Sequence, residues 1–369
     1  MLDRPGLTHG GTASPSDASS PSDPSTSAPP GTVPGLREGQ DYTTIASLPL
    51  STAGKNYTYY GLTDDGLAYG SKSEVPLTGT DDLTPTSAVL TDLTSGLVTP
   101  ISDGTDRPAP TQFTGMAYSP GFVVWIETTS TSLDGGDWAL YVHDRAADTT
   151  RLAATSTDTG ADNFGAIPPG GVTPSITNGY IYLDAAGKTD GTTSFNVYRT
   201  RLDRPSRLSL VATKAEGAFA SRARIIYRTI NGAIKQIDTE GNEVEPLGGA
   251  QQVDNPCGGF FAEGTLVVCE KLTSPDLVLH IYRDKHEPID LDLRGRAIHY
   301  IQGTSRWVRY ELDGTTYVYD LKRQRLMKVT DLYSAALGQG PGDVFDVATI
   351  DEAAGETRAE KVTFMRLIP

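Results

Sequence analysis

Histidines and acidic side chains are the residues of this sequence whose chemistry could hold a metal ion or move a proton. The five histidines are scattered along the chain: His9, His143, His280, His286 and His299. No His-Glu-x-x-His motif is present, and strand alternation does not clearly put His280 and His286 on one site, so zinc binding is the weaker interpretation. The sequence therefore predicts no metal and no other cofactor.

Nucleophilic or carboxylate catalysis has no clear signature either. The sequence contains no Gly-x-Ser-x-Gly turn, no Walker-type loop and no dinucleotide fingerprint. Acidic residues are plentiful, and glycosidases and lyases can draw carboxylates from several repeated units to one pocket. Asp162 and Asp254 lie in connections that could line one face, although we interpret both as loop-capping residues. Catalytic residues stay unassigned.

Composition and charge limit the classes of protein and partner. The 369 residues include 39 Gly and 24 Pro but only 4 Met and 9 Phe, which favours a turn-rich all-β fold. The formal net charge of -15 would repel a nucleic acid backbone, so no nucleic acid partner is expected. No apolar run approaches the roughly 18 residues of a transmembrane segment.

Residues 1–40 are predicted to form a disordered tether. The segment is mostly Ser, Thr, Pro and Gly and contains no aromatic residue; the first one in the chain is Tyr42. "SPSDASSPSDPSTSAPP" resembles the linkers that follow the lipidated cysteine of bacterial lipoproteins. We expect an exported protein tethered to the cell surface, with Met1 standing where the export signal was removed and membrane association only through a lipid anchor. The alternative is a flexible N-terminus on a cytosolic protein.

The two cysteines bear on the same choice. In "NPCGGFFAEGTLVVCE", Glu263 and Gly264 form a natural turn, and pairing outward from it brings Cys257 nearly opposite Cys269. A cross-strand disulfide is therefore reasonable, and it would indicate an oxidising, extracytoplasmic compartment. The alternative is two buried thiols that pack as small hydrophobic residues.

A short frame recurs along the chain. In "YVYDLKRQRLMKVT" an apolar or aromatic residue precedes an anchor residue by three positions, and an apolar residue follows it by about nine. The six anchors are Asp92, Asp144, Arg201, Asp238, Asp284 and Asp320. Each ends a strand, and a carboxylate there can accept hydrogen bonds from turn amides, so we interpret the anchors as turn-forming residues rather than catalytic ones.

The repeat predicts a β-propeller. The anchors are 36 to 57 residues apart, and each copy has an apolar strand upstream and a Gly-containing segment before that, which makes four strands per unit. Stacking such sheets around an axis buries both faces of each. Residues 41–50 alternate in polarity and can join the last, incomplete sheet, so the ring would close with seven blades, six being the alternative. We expect residues 41–369 to form one domain.

The frame Tyr-x-x-Asp-Leu-x-x-x-Gly resembles the repeats of TolB-like and WD-like β-propellers of bacterial exported proteins. "VYDLKRQRLMKVT" and "LTDLTSGLVTPIS" are the most similar, and the resemblance covers about residues 55–331. The copies at Arg201 and Asp284 depart from the frame. The resemblance is specific for the fold and poor for function, since such propellers bind proteins, glycans or small ligands and also supply lid domains to peptidases.

The sequence thus favours a binding module without catalysis, whose partner is a protein or a glycan at the cell envelope. A propeller enzyme that acts on cell-surface or extracellular glycans is one alternative, and a structural subunit of an envelope assembly is another. An enzyme would bring two carboxylates, or a carboxylate with Tyr or Arg, together near the axis.

Overall fold

The computed structural model of the chain is an all-β ring. It describes residues 33–73, 86–102, 112–128, 137–161, 174–205, 207–221, 224–245, 257–272, 277–283, 286–293, 295–329, 342–350 and 359–369. These residues form seven antiparallel sheets, which are the seven blades of a β-propeller. The predicted fold class is confirmed, and seven blades rather than six is the correct count.

The strands are numbered in chain order. Strand β1 (Tyr42–Pro49) belongs to the last blade. Blade 1 contains β2 (Ser51–Thr52), β3 (Lys55–Leu62), β4 (Leu67–Ser73), β5 (Thr86–Asp92) and β6 (Val98–Pro100). Blade 2 contains β7 (Gln112–Ser119), β8 (Phe122–Thr128), β9 (Trp138–Asp144) and β10 (Thr149–Thr155), followed by a short 3-10 helix (Ser156–Thr159). Blade 3 contains β11 (Ser175–Thr177), β12 (Tyr180–Thr189), β13 (Thr192–Arg201) and β14 (Ser209–Thr213).

The next three blades follow the same order. Blade 4 contains β15 (Ala215–Ser221), β16 (Arg224–Thr229) and β17 (Ile234–Asp238). Blade 5 contains β18 (Cys257–Glu263), β19 (Leu266–Leu272), β20 (Leu277–Arg283) and β21 (Ile289–Asp292). Blade 6 contains β22 (His299–Gly303), β23 (Trp307–Leu312), β24 (Thr315–Asp320) and β25 (Arg325–Val329).

Blade 7 closes the ring with a strand from the other end of the chain. It contains β26 (Val344–Ile350) and β27 (Ala359–Leu367), and β1 pairs antiparallel with β27 from Tyr42 opposite Leu367 to Pro49 opposite Lys361. The predicted closure by residues 41–50 is therefore confirmed. The chain also contacts the ring before Asp41, because Gly35 forms a parallel bridge with Lys328 at the edge of blade 6.

The hydrophobic core lies between the blades, because each sheet buries both of its faces. Val124 and Ile126 in β8 face Ile181 and Leu183 in β12 of the next blade, and all four are fully buried. A strand that is covered on both faces needs apolar residues at successive positions, which explains runs such as "FVVWI" in β8. The core therefore consists of a series of interfaces that hold each blade to the next.

The anchors lie at equivalent points of the blades. Five of them are the last residues of the third strands, counted in blade 1 from β3: Asp92 in β5, Asp144 in β9, Arg201 in β13, Asp238 in β17 and Asp320 in β24. The Oδ1 atoms of Asp92, Asp144, Asp238 and Asp320 each accept hydrogen bonds from two amides within the next four residues. The Arg201 guanidinium instead pairs with Asp203. Asp284 lies outside the described residues.

The two cysteines form a disulfide inside blade 5. Their Cα atoms are 5.6 Å apart, but Cys269 lies opposite Phe260 and Cys257 lies opposite Lys271. The two residues are therefore not directly opposite, because a β-bulge between Cys257 and Phe260 adds a residue to β18. The bond holds the first and second strands of blade 5 together.

Replacing both cysteines by serine, Cys257→Ser with Cys269→Ser, is expected to lower the free energy of unfolding by about 3 kcal/mol. The bond closes a short loop, with a sequence separation of 12, and its loss frees the unfolded chain. Urea unfolding of the oxidised protein, the reduced protein and the double variant measures the effect. Equal midpoints for all three would show that the bond does not contribute to stability.

Candidate functional site

The axis of the ring is lined by the first strand of each blade. Strands β3, β7, β11, β15, β18 and β22 are the first described strands of blades 1 to 6 that run along the axis. Neighbouring members of this set contact one another, as β15 contacts β18 and β18 contacts β22. Side chains on these strands that are exposed can therefore meet a ligand at the axis.

Five of these six strands contain a β-bulge. The bulges lie between Tyr59 and Gly61 in β3, Phe113 and Gly115 in β7, Glu216 and Phe219 in β15, Cys257 and Phe260 in β18, and His299 and Gln302 in β22. A bulge bends the strand and changes the direction of a side chain, and bulges are common next to binding sites. On the inner wall, therefore, individual side chains point in directions that a regular strand would not give them.

Charged side chains that are buried or half-buried connect successive blades behind this wall. Asp184 in β12 accepts a hydrogen bond from the Gly217 amide in blade 4 at 3.1 Å. Arg228 in β16 donates to the carbonyl oxygens of Cys257 and Gly258 in blade 5. Arg228 also pairs with Glu216 of its own blade at 2.7 Å. Each side chain thus bonds the backbone of the following blade.

The same arrangement continues into blades 6 and 7. Glu270 in β19 accepts a hydrogen bond from the Ile298 amide at 3.1 Å, just before β22 begins, and another from the Gly259 amide at 3.0 Å. Arg309 in β23 donates to the carbonyl and the carboxylate of Asp346 in blade 7. Blades 3 to 7 are joined in this way by charges of alternating sign.

Two carboxylates with raised pKa values act electrostatically on a tyrosine of another blade. Burial raises the pKa of Glu263 at the end of β18 to about 7, and burial raises the pKa of Asp346 to about 6. The pKa of Tyr69 is raised by burial and by the charges of these two carboxylates. Within the part of the chain that the structure describes, Glu263 Oε2 and Asp346 Oδ2 have no hydrogen-bond partner. Tyr69 and Asp346 are almost completely buried.

Glu263→Gln is expected to change how stability depends on pH. Because the folded-state pKa of about 7 lies above the ordinary value of 4.5, the protonated carboxyl favours folding below pH 4.5 and that contribution is lost as the pH rises through 7. The wild type should lose on the order of 3 kcal/mol relative to the variant over this range. Urea unfolding at several pH values measures it, with Glu240→Gln, which removes an exposed carboxylate, as control. Parallel curves for wild type and Glu263→Gln would contradict the expectation.

The sequence-based candidates do not converge on one site. The five described anchors lie on five different blades, each at its own turn. His143 is buried and bonds Thr150, and His280 pairs with Asp290 at 2.5 Å. The side chains of His9 and His299, together with Asp162 and Asp254, lie outside the described residues. Among the described residues, no three His, Cys, Asp or Glu side chains come together in a group that could hold a metal ion.

No helix in the described part of the chain has the length and apolar character needed to cross a membrane.

Sequence reasoning missed a second set of contacts between blades. The guanidinium groups of Arg151, Arg199 and Arg283 donate to carbonyl oxygens that directly follow the anchors of the next blade, those of Leu202 and Asp203, Thr239, and Leu321. Arg199 and Arg283 lie near the ends of their third strands, so a search for arginine in this part of the repeat would have found two of the three. The anchor turns therefore also serve as docking points between blades.

Comparison with known proteins identifies no family. No protein-family model matches the sequence, and no curated protein matches it. The chain is similar to the β-propeller domain of the Trilobed protease from Pyrococcus furiosus, with a TM-score of 0.52 and 12% identity, over 85% of this chain and 97% of that one. It is similar to the Pyrococcus horikoshii acylaminoacyl peptidase, with a TM-score of 0.53 and 10% identity, over 84% of this chain and 52% of that one.

A third similar structure is the virginiamycin B lyase from Staphylococcus aureus, with a TM-score of 0.49 and 11% identity, over 87% of this chain and 99% of that one. Identities this low carry no information on activity, because propellers of one fold support unrelated functions. The first two similarities show the β-propeller fold alone.

Proposed function

We propose that the chain is an extracytoplasmic, surface-tethered β-propeller that binds a protein or a glycan and performs no chemistry of its own. The observation that carries this proposal is that the charged side chains between the blades form hydrogen bonds that hold the blades together. Asp184, Arg228, Glu270 and Arg309 are all bonded to the backbone of a neighbouring blade. Such side chains hold the ring rigid and are not free to act as an acid or a base, and a rigid ring with variable connections suits recognition.

One observation supports the location and a second supports the tether. The Cys257–Cys269 disulfide is typical of proteins that fold in an oxidising compartment. Residues 33–41 run along blade 6 into β1, so the predicted Ser- and Pro-rich tether would leave directly from the rim of the ring. The resemblance of the repeats to TolB-like and WD-like propellers of exported proteins supports the same assignment.

The proposal is tested by capture from an envelope extract of the source organism with the full chain as bait. The captured material is analysed for proteins and for glycans. Reproducible enrichment of one partner, lost when the bait is unfolded, is the expected result. Failure to enrich any protein or glycan over the unfolded control would argue against a binding module.

Catalysis at the axis is the second candidate, and one observation favours it. Glu263, with a pKa of about 7, is about half protonated at pH 7, as a general acid can be, and its charge and that of Asp346 both raise the pKa of Tyr69. The near-complete burial of Tyr69 and Asp346 is the reason that we prefer binding. Release of reducing sugar from cell-wall glycans by the wild type, abolished by Glu263→Gln, would reverse this preference.

A further inference from the structure

Tyr300 combines three features of position, exposure and backbone conformation. It lies in β22, the innermost strand of blade 6, its side chain is 63% exposed, and its backbone φ is 53°. A bulky residue rarely adopts a left-handed backbone conformation, because its Cβ then crowds the following carbonyl oxygen. Strain of this kind persists at sites where function requires a particular side-chain direction.

The bulges of blades 4 and 5 show which residue type occupies the position that matches Tyr300. Tyr300 is the first residue of the bulge that follows His299, and the same position in blades 4 and 5 is occupied by Gly217 and Gly258. Gly217 also has a positive φ of 62°, which costs a glycine little. Blade 6 therefore carries a large aromatic ring where two preceding blades carry no side chain.

The surroundings direct this ring away from the core. Ile301, the next residue, packs against the apolar cluster between blades 5 and 6, where a Cβ on Gly259 would lie 2.8 Å from its Cδ1 atom. Tyr300 therefore points away from that cluster, which agrees with its exposure. It lies near the start of its strand, at the end of the axis where the connection from blade 5 enters blade 6.

Three charged side chains of blades 4 and 5 are bonded within the ring. Glu270 accepts hydrogen bonds from the Ile298 and Gly259 amides, and Glu216 pairs with Arg228. An ionic ligand would therefore meet carboxylates and a guanidinium whose hydrogen bonds are used within the ring. A ligand that is uncharged, with one flat apolar face for the phenol ring and hydroxyls at its edge, fits these surroundings.

We propose that Tyr300 is a ligand-contact residue at the axis, and that it stacks against a pyranose ring of an uncharged saccharide. The inference rests on the proposed binding function and names its ligand class. The bulge and the left-handed backbone present the ring at a position where blades 4 and 5 carry glycine. The strained conformation is retained because a glycine there would remove the contact.

Variants at this position test the proposal in the full chain. Tyr300→Gly is expected to weaken binding of uncharged oligosaccharides of glucose, galactose or N-acetylglucosamine by about tenfold or more. The same variant should keep or raise the melting temperature, by about 2 °C, because the strain is relieved. Tyr300→Phe retains the ring and should keep most of the affinity. Calorimetric titration and thermal unfolding provide the two measurements.

Gln324→Gly is the matched control, because Gln324 lies in a turn of the same blade with a φ of 50°. It should relieve comparable strain and leave saccharide binding unchanged. The proposal is overturned by equal affinity of the wild type and Tyr300→Gly, or by a wild type that binds none of these saccharides. Capture of a protein partner by both the wild type and Tyr300→Gly, with no saccharide bound by either, would overturn this inference while leaving the proposed binding function in place.

Discussion

Removal of residues 1–49 is expected to abolish cooperative folding of the ring. The shortened chain loses β1, whose residues pair with β27, and it loses the buried side chain of Leu48. Burial of one such side chain contributes about 2 kcal/mol, and each lost strand hydrogen bond contributes about 0.5–1.5 kcal/mol. The total exceeds about 5 kcal/mol, which is the whole stability of many domains.

The contacts of Asp41 increase this effect. Its carboxylate is buried and lies 3.0 Å from the Arg325 guanidinium, and its carbonyl accepts a hydrogen bond from the Ile368 amide. Without Asp41, these groups of blades 6 and 7 lose their partner at the point where the two ends of the chain meet.

Removal of residues 1–32 alone is the matched control, because it keeps every contact just described. Circular dichroism and urea unfolding compare the two shortened chains, and a synthetic peptide of residues 33–50 added in trans should restore folding to the shorter one. A chain of residues 50–369 that unfolds cooperatively with the wild-type midpoint would show that ring closure is not required for stability.

Arg309→Met is expected to lower the free energy of unfolding by about 3–5 kcal/mol at neutral pH, because it leaves a buried charge without its partner. Arg309 is 1% exposed and Asp346 is 2% exposed, and the guanidinium also bonds the Gln302 side chain. Urea unfolding of the variant at pH 7.5 measures the loss.

Asp346 supplies two controls for this prediction. Because burial raises its pKa to about 6, protonation below that pH removes the uncompensated charge, and the loss in Arg309→Met should become smaller at pH 5. Combining Arg309→Met with Asp346→Leu replaces the pair by apolar side chains and should recover much of the stability. A loss that is the same at both pH values and in the double variant would show that lost packing, rather than the unpaired charge, is responsible.

The saccharide proposal and the catalytic alternative involve separate parts of the axis. Tyr300 follows the connection from blade 5, near the start of a first strand, whereas Glu263 lies at the end of β18, next to the turn into β19. Because the first strands of all blades run in the same direction along the axis, these two residues lie toward opposite ends of the axis. Variants at Tyr300 and Glu263 therefore test the two functions independently.

The repeat frame in the sequence determined the fold, because each copy encodes its own turn and strands through neighbouring residues. An anchor residue that ends a third strand, followed by a turn and a short fourth strand, is visible in any single copy, and spacings of 36 to 57 residues then require several equivalent sheets. Apolar runs such as "FVVWI" also specify strands covered on both faces. The closing strand was predictable because residues 41–50 alternate and the last sheet lacks an anchor.

The tertiary structure alone decided which charges meet and where the candidate site lies. Asp184, Arg228, Glu270 and Arg309 are at least 39 residues apart from one to the next, and only the stacking of blades brings each to its neighbour's backbone. Nothing in the local sequence around Tyr300 indicates a left-handed backbone, because the bulge results from pairing with β23. Strand pattern is encoded by neighbouring residues, whereas bulges, buried ion pairs and exposure at the axis depend on contacts between distant ones.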